Sequence, residues 1–309
     1  MRRDWSWRES IQSIGSVVRR LVRYALLVTL FGALLVAIVV GLGVVSVPET
    51  LGDEVDHLVG ELDVDRDGLS SNRERALGTD PWAWDTDGDR LGDGWEVKQR
   101  TDEGADLPGA DPLRTDLYVQ VSYATDVEAL TETEKADLRE VWAEMPVSNP
   151  DGSAGIDIHL VETALEEQPV LTTGSEMRDY QQRYYTRAYM GERQCSYHLS
   201  VVGEIAGEGI AGLGETPGRF SFVEGEYRSN ILEGSVSLRV NTVTHELLHN
   251  VVGQTEFTDE TGHTEGGWLS AGGDVGSTPE AEEYLSPTVA DHLSEEGFAE
   301  SEYYSRVRC

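Results

Sequence analysis

Residues 235–252 read SVSLRVNTVTHELLHNVV. The first six alternate between polar and apolar and are expected to form a strand over 235–240. The remaining twelve are expected to form a helix over 241–252, with Val243, Leu247, Leu248 and Val251 on its apolar positions. Gly253 can end that helix in a left-handed turn. Residues four apart share a helix face, so His245 and His249 can present two imidazoles to one metal ion. Glu246 stands beside them and can take a proton from a water on that metal. Zinc suits this chemistry because it lowers the pKa of a bound water to about 7.

Working outward, the downstream stretch HNVVGQTEFTDETGHTEGGWL (249–269) offers His263 as its one further histidine, on a Gly-rich loop able to fold back over the helix end. His263 is the expected third zinc ligand; Glu256, Asp259, Glu260 and Glu265 are carboxylate rivals. HELLH at 245–249 resembles the motif of the zincin metallopeptidases. The resemblance implies zinc on His245 and His249, Glu246 as general base in peptide hydrolysis, and a mixed sheet beside an active-site helix. The longer metzincin pattern is not kept: Val252 and Thr255 stand where it has Gly and a third His, and no Met follows residue 190. A gluzincin-like arrangement would instead use Glu280, Glu282 or Glu283.

The upstream order suits an α+β fold of this kind. DLYVQVSY (116–123), GIDIHLV (155–161), SYHLSVV (196–202) and RFSFV (219–223) read as strands. TETEKADLREVWAEM (131–145) reads as a helix opened by a Thr131–Glu134 capping box, and SEMRDYQQRYYTRAYM (175–190) as one continuous helix. GEGIAG (207–212) matches a dinucleotide fingerprint only literally. The following Gly212, Gly214, Pro217 and Gly218 oppose the required helix, and Glu204, Glu208 and Glu215 would repel phosphate. A flexible loop beside the cleft is expected instead, leaving a strand edge to receive an extended peptide.

Two acidic loops precede this region. DVDRDGLSSNRE (63–74) places Asp63, Asp65, Asp67 and Glu74 at positions 1, 3, 5 and 12 of a calcium loop, with Gly68 at the turn. DTDGDRLGDGWE (85–96) repeats the positions with Asp85, Asp87, Asp89 and Glu96, Asp93 being an extra acid. Arg90 replaces the turn glycine there, so this second turn is expected to be less secure. With GTDP (78–81) between them, the loops resemble thrombospondin type 3-like repeats, which implies bound Ca2+ and a rigid stalk.

The chain has 309 residues and a formal charge of −33. Residues 1–23 carry six Arg and two acids, followed by an uncharged apolar stretch from Tyr24 to Pro48. That length suits a transmembrane helix, and the flanking arginines place the N-terminus in the cytoplasm and residues 49–309 outside. A cleaved signal peptide is the rival reading. The expected organisation is a basic arm (1–23), a membrane helix (24–48), a linker (49–62), calcium repeats (63–113) and a zincin-like domain (114–309). Cys195 and Cys309, the two cysteines, are expected to form a disulfide in an oxidising exterior. The charge excludes nucleic acid as a partner, since phosphate contacts need clustered bases. Only Lys98 and Lys135 are lysines, and the acidic, Lys-poor composition resembles that of salt-adapted haloarchaeal surface proteins.

The sequence therefore reads as a membrane-anchored extracellular zinc metallopeptidase acting on a peptide or protein. The alternative is a non-catalytic calcium-binding surface protein for adhesion or envelope organisation. His159 and His198 are expected to be structural, and His57, in the linker, is assigned no role. Tyr284 and His292 are candidates for a hydrogen bond to a tetrahedral intermediate.

Overall fold

The computed structural model describes residues 60–206, 210–225, 236–270, 284–301 and 304. The chain divides into residues 1–61 and 62–309, and all described residues but Gly60 and Glu61 belong to the second unit. The apolar stretch 24–48 lies outside the described residues, among which no helix is long and apolar enough to cross a membrane.

The fold is α+β, built on a mixed six-stranded sheet. The strands are β1 (Asp116–Tyr123), β2 (Asp157–Ala164), β3 (Val170–Leu171), β4 (His198–Ile205), β5 (Gly212–Gly214) and β6 (Phe220–Glu224). Their order is β2-β1-β4-β6-β5, with β3 pairing separately with β4. β1 is parallel to β2 and β4, and β4 to β6; β5 alone runs antiparallel, against β6. All eight residues of β1 are buried. Its alternation of Leu117, Val119, Val121 and Tyr123 marks only one of two covered faces, as expected for a central parallel strand.

Helices cover both faces. α1 (Ser71–Leu77) and α2 (Asp93–Lys98) follow the two acidic loops. α3 (Glu132–Ala143) makes the crossover from β1 to β2. Its capping box is present: Thr131 Oγ1 accepts from Glu134 N, and Glu134 Oε2 accepts from Thr131 N. The continuous helix expected over 175–190 is broken into α4 (Gly174–Tyr184), α5 (Arg187–Met190) and a 3-10 turn (Gly191–Cys195). The break follows from two adjacent tyrosines that both need the core. Neighbouring helical residues diverge by about 100°, yet Tyr184 and Tyr185 are both buried. The backbone turns at Tyr185, whose hydroxyl donates to the carbonyls of Gln194 and Tyr197.

α6 (Leu238–Val252) and α7 (Pro287–Glu296) complete the elements. A strand is expected over 235–240, but among its described residues, 236–240, α6 begins at Leu238 instead. Ser237 caps it, its hydroxyl accepting from Val240 N. Arg239 then turns inward and pairs with Glu134 of α3 through Nε–Oε1 (3.0 Å) and Nη2–Oε2 (2.6 Å), while donating to the carbonyls of Glu128 and Ala129. That bidentate pair is buried, and it fixes the first turn of α6 against α3.

Candidate zinc and calcium centres

His245 and His249 project from one face of α6, and the loop after Gly253 brings His263 back to them. The three Nε2 atoms lie 3.1, 3.2 and 3.3 Å apart. Three nitrogens held about 2.0–2.1 Å from a tetrahedral zinc lie about 3.3 Å from one another. The loop closes through Asp259 N to His263 O (2.8 Å) and Gly262 N to Asp259 O (3.0 Å). Gly262 has φ +86°, and a Cβ there would lie 2.6 Å from Thr216 Cγ2 and 3.2 Å from His249 Nδ1, so only glycine fits.

The outward nitrogens decide the tautomers. His245 Nδ1 donates to the Trp268 carbonyl at 2.8 Å, which leaves Nε2 as a lone pair facing the other rings. Thr261 Oγ1 lies 2.6 Å from Asp259 Oδ1 and 2.7 Å from His263 Nδ1, a relay that orients the third ring. His249 Nδ1 faces Thr216 Oγ1 at 3.3 Å. Burial lowers the pKa of His245 to about 4 and of His249 to about 3, and it lowers that of His263. At neutral pH the site is a convergence of uncharged imidazoles, a donor set that fits a zinc ion.

Glu246 is almost wholly buried, and burial raises its pKa to about 8, partly offset by the Gly214 N–H. The edge strand β5 lies directly over it. A Cβ on Gly212 would sit 2.5 Å from Glu246 Oε1, and one on Gly214 would sit 2.6 Å from the Glu246 carbonyl. The glycines that oppose a nucleotide loop are what let a strand edge lie against α6. Beside Trp268 opens a groove of about 500 Å³ bordered by Asp137, Glu140, Glu144, Met145 and Tyr284.

The remaining histidines have local partners. His198 is buried against Asn250 Oδ1 (3.2 Å) with its pKa lowered to about 3 by burial, while His159 stacks on Tyr118 and binds Asp116. His292 packs edge-on to Phe257, and the Tyr284 hydroxyl lies beside Gly266. Glu280, Glu282, Glu283 and Cys309 lie outside the described residues; Cys195 is not a free thiol.

The acidic loops are structural copies. In the first, Asp63 accepts from Arg66 N and Gly68 N, Asp65 from Asp67 N, and Asp67 from Leu69 N. In the second, Asp85 accepts from Gly88 N and Arg90 N, Asp87 from Asp89 N, and Asp89 from Leu91 N. Positions 4 and 6 are left-handed in both: Arg66 and Gly68, then Gly88 and Arg90. The second turn is therefore as complete as the first, Arg90 being held there by its Nε donating to the Phe298 carbonyl at 2.6 Å.

Within each loop the three aspartates offer oxygens within 4.8 Å of one another. That is the widest separation available to two ligands about 2.4 Å from one calcium. Glu74 and Glu96 are fully buried, and none of their carboxylate oxygens has a hydrogen-bond partner among the described residues. Burial raises Glu74 to about 7 and Glu96 far beyond the carboxylate range. Buried carboxylates without donors require a cation or a proton, and these all-oxygen donor sets fit a hard divalent ion.

No family model matches the chain, and no curated protein does. Among solved structures it is similar to metalloproteinase-II from Bacteroides fragilis, at 12% identity over 59% of this chain and 53% of that one, with a TM-score of 0.40. It is also similar to archaemetzincin from Methanopyrus kandleri, at 12% identity over 59% of this chain and 95% of that one (TM-score 0.35). A chaperone–substrate complex matches at 11% identity over 64% of this chain and 36% of that one (TM-score 0.35). The chain spans about half the length of the Bacteroides protein.

Proposed function

We propose that this chain is a zinc-dependent metallopeptidase. The observation that carries the reading is the triangle of His245, His249 and His263 Nε2 atoms, 3.1–3.3 Å on a side, each ring oriented from behind. When bound, zinc supplies Lewis acidity toward a carbonyl oxygen and acidifies a water. The charge of a bound zinc would favour the ionised carboxylate of Glu246 against its burial, and in that form Glu246 is the proton carrier: it accepts the proton of the attacking water and delivers it to the departing amine. The close approach of Gly212 and Gly214 lets β5 shield its carboxylate from bulk solvent. The edge of β5 that pairs with no strand among the described residues can pair with an extended substrate by main-chain hydrogen bonds. The acidic rim of the groove at Asp137, Glu140 and Glu144 favours a substrate with a Lys or Arg side chain.

The two acidic loops are read as calcium sites of a thrombospondin type 3-like kind. The apolar stretch 24–48, behind six arginines, supports a membrane anchor with the enzyme outside the cell. An oxidising exterior also suits a Cys195–Cys309 disulfide. The acid excess supports a salt-adapted surface. A calcium-binding surface protein without catalysis would share the loops, but it gives no reason for three lone pairs to converge beneath a buried glutamate.

The test is cleavage of an unstructured protein by the full chain after chelation and stepwise return of zinc. Activity that reappears with one zinc per chain is expected, as is its loss in His263→Ala with zinc affinity reduced at least about tenfold. Full zinc affinity in His263→Ala would remove that residue from the site, and a protein that takes up no zinc would reject the function.

A further inference from the structure

Each acidic loop meets a carboxylate from the module that follows it. Asp93, at the start of α2, lies with Asp67 and Glu74 of the first loop, all three buried and offering oxygens within 4.8 Å of one another. Asp116, the first residue of β1, does the same with Asp89 and Glu96 of the second loop. The spacing repeats too: Asp93 follows Asp63 by 30 residues, and Asp116 follows Asp85 by 31. Independently, Glu74 and Glu96 are completely buried at these two points with both oxygens unpartnered, and Asp67 Oδ2 is in the same state. No described hydrogen bond or ion pair compensates the two glutamates, and a buried carboxylate in that state calls for a cation or a proton.

We propose that the two calcium sites are junctions rather than self-contained loops. Asp93 joins Asp63, Asp65, Asp67 and Glu74 around one ion, and Asp116 joins Asp85, Asp87, Asp89 and Glu96 around the second. The proposal rests on the reading of the loops as calcium-binding. The chosen ion follows from the donors: several carboxylates and no nitrogen or sulfur select a hard cation with a large coordination number.

The first ion fastens the first loop to the second. Gly94 has room for no side chain there, since a Cβ would lie 2.0 Å from the Asp67 carbonyl. The second ion fastens the second loop to the sheet. Asp116 N already donates to Asp89 Oδ2 at 2.7 Å, and Asp116 is braced from behind by His159 and by Asp111 N. From the second loop the connection continues toward the zinc helix. Phe298 N donates to Gly88 O, Arg90 Nε to Phe298 O, and Ala299 N to Val251 O, two residues beyond His249. Calcium occupancy is thereby tied to the seating of the segment at the end of α6.

The experiment titrates the full chain with calcium by calorimetry, beside Asp93→Asn and Asp116→Asn, and follows amide hydrogen exchange of the wild type with and without calcium. Two ions per chain are expected for the wild type. Each variant is expected to lose at least about tenfold in affinity at one site while keeping the other. Calcium is expected to slow exchange at 116–118 and 298–299 as well as within 63–74 and 85–96, a readout that stands even where a variant fails to fold. A wild type that binds two ions, with unchanged affinities in both variants and protection confined to the loops, would overturn the junction proposal and leave the loop reading standing. A wild type that binds no calcium would overturn both.

Discussion

The ionisable groups that matter here are mostly ones denied a charge. His198 is an instructive case because it lies outside the zinc triangle. Burial lowers its pKa to about 3, against 6.5 in an exposed chain, so below pH 6.5 the unfolded state binds a proton that the folded state refuses. Its neutral form stabilises the fold above pH 6.5, and that contribution is lost as pH falls toward 3. One proton corresponds to about 1.4 kcal/mol per pH unit. His198→Gln is expected to flatten the acid limb of a stability profile between pH 6 and 4 by about that slope, measured by denaturant unfolding; an unchanged slope would contradict the burial argument. Residue spacing made part of this scale readable. His245 and His249 are four apart on a helix, and the Asp pattern recurs in both loops. His263 is distant in sequence, and only the loop closed by Asp259 and Gly262 sets its ring against the other two. Asp116 reads as an ordinary strand residue, since nothing local shows that its carboxylate meets Asp89 and Glu96, 27 and 20 residues earlier.

At the scale of elements, the sheet strands were visible as apolar runs, while the start of α6 was not. SVSLRV has a strand pattern, but a serine cap and a buried ion pair to α3 outweigh that propensity, and the partner Glu134 lies 105 residues away in sequence. Arg239→Met, which leaves Glu134 buried without its guanidinium, is expected to cost about 3–5 kcal/mol. Combining it with Glu134→Leu should recover most of that loss in the same unfolding assay. The edge strand β5 was hidden for the opposite reason: Gly212, Leu213 and Gly214 carry almost no strand propensity, and their value lies in what they omit. Gly212→Ala would drive a methyl group against Glu246 Oε1. It is expected to lower kcat/KM at least about tenfold with zinc still bound, a 1.4 kcal/mol loss or more of transition-state stabilisation; unaltered kinetics would show that β5 does not set the position of the glutamate.

At the scale of the whole molecule, the acidic repeats do not stand apart as a stalk. Residues 62–309 form one compact unit, and the second loop is clasped by β1 on one side and by the segment after α7 on the other. Repeats in sequence announce a module but not what the module packs against. The charge of −33 is spread over a chain with 24 basic residues, and self-repulsion of this size should weaken the fold in dilute buffer. A melting temperature that falls as NaCl drops from molar to millimolar is expected, and an identical melt at both would contradict it. The peptidase reading is tested most directly by comparing wild type with Glu246→Gln after loading each with one zinc per chain. The wild type is expected to cleave an unstructured protein, while the variant holds the same zinc and is slower by about two to four orders of magnitude. Equal cleavage by the two zinc-matched proteins, or none by either, would contradict the account.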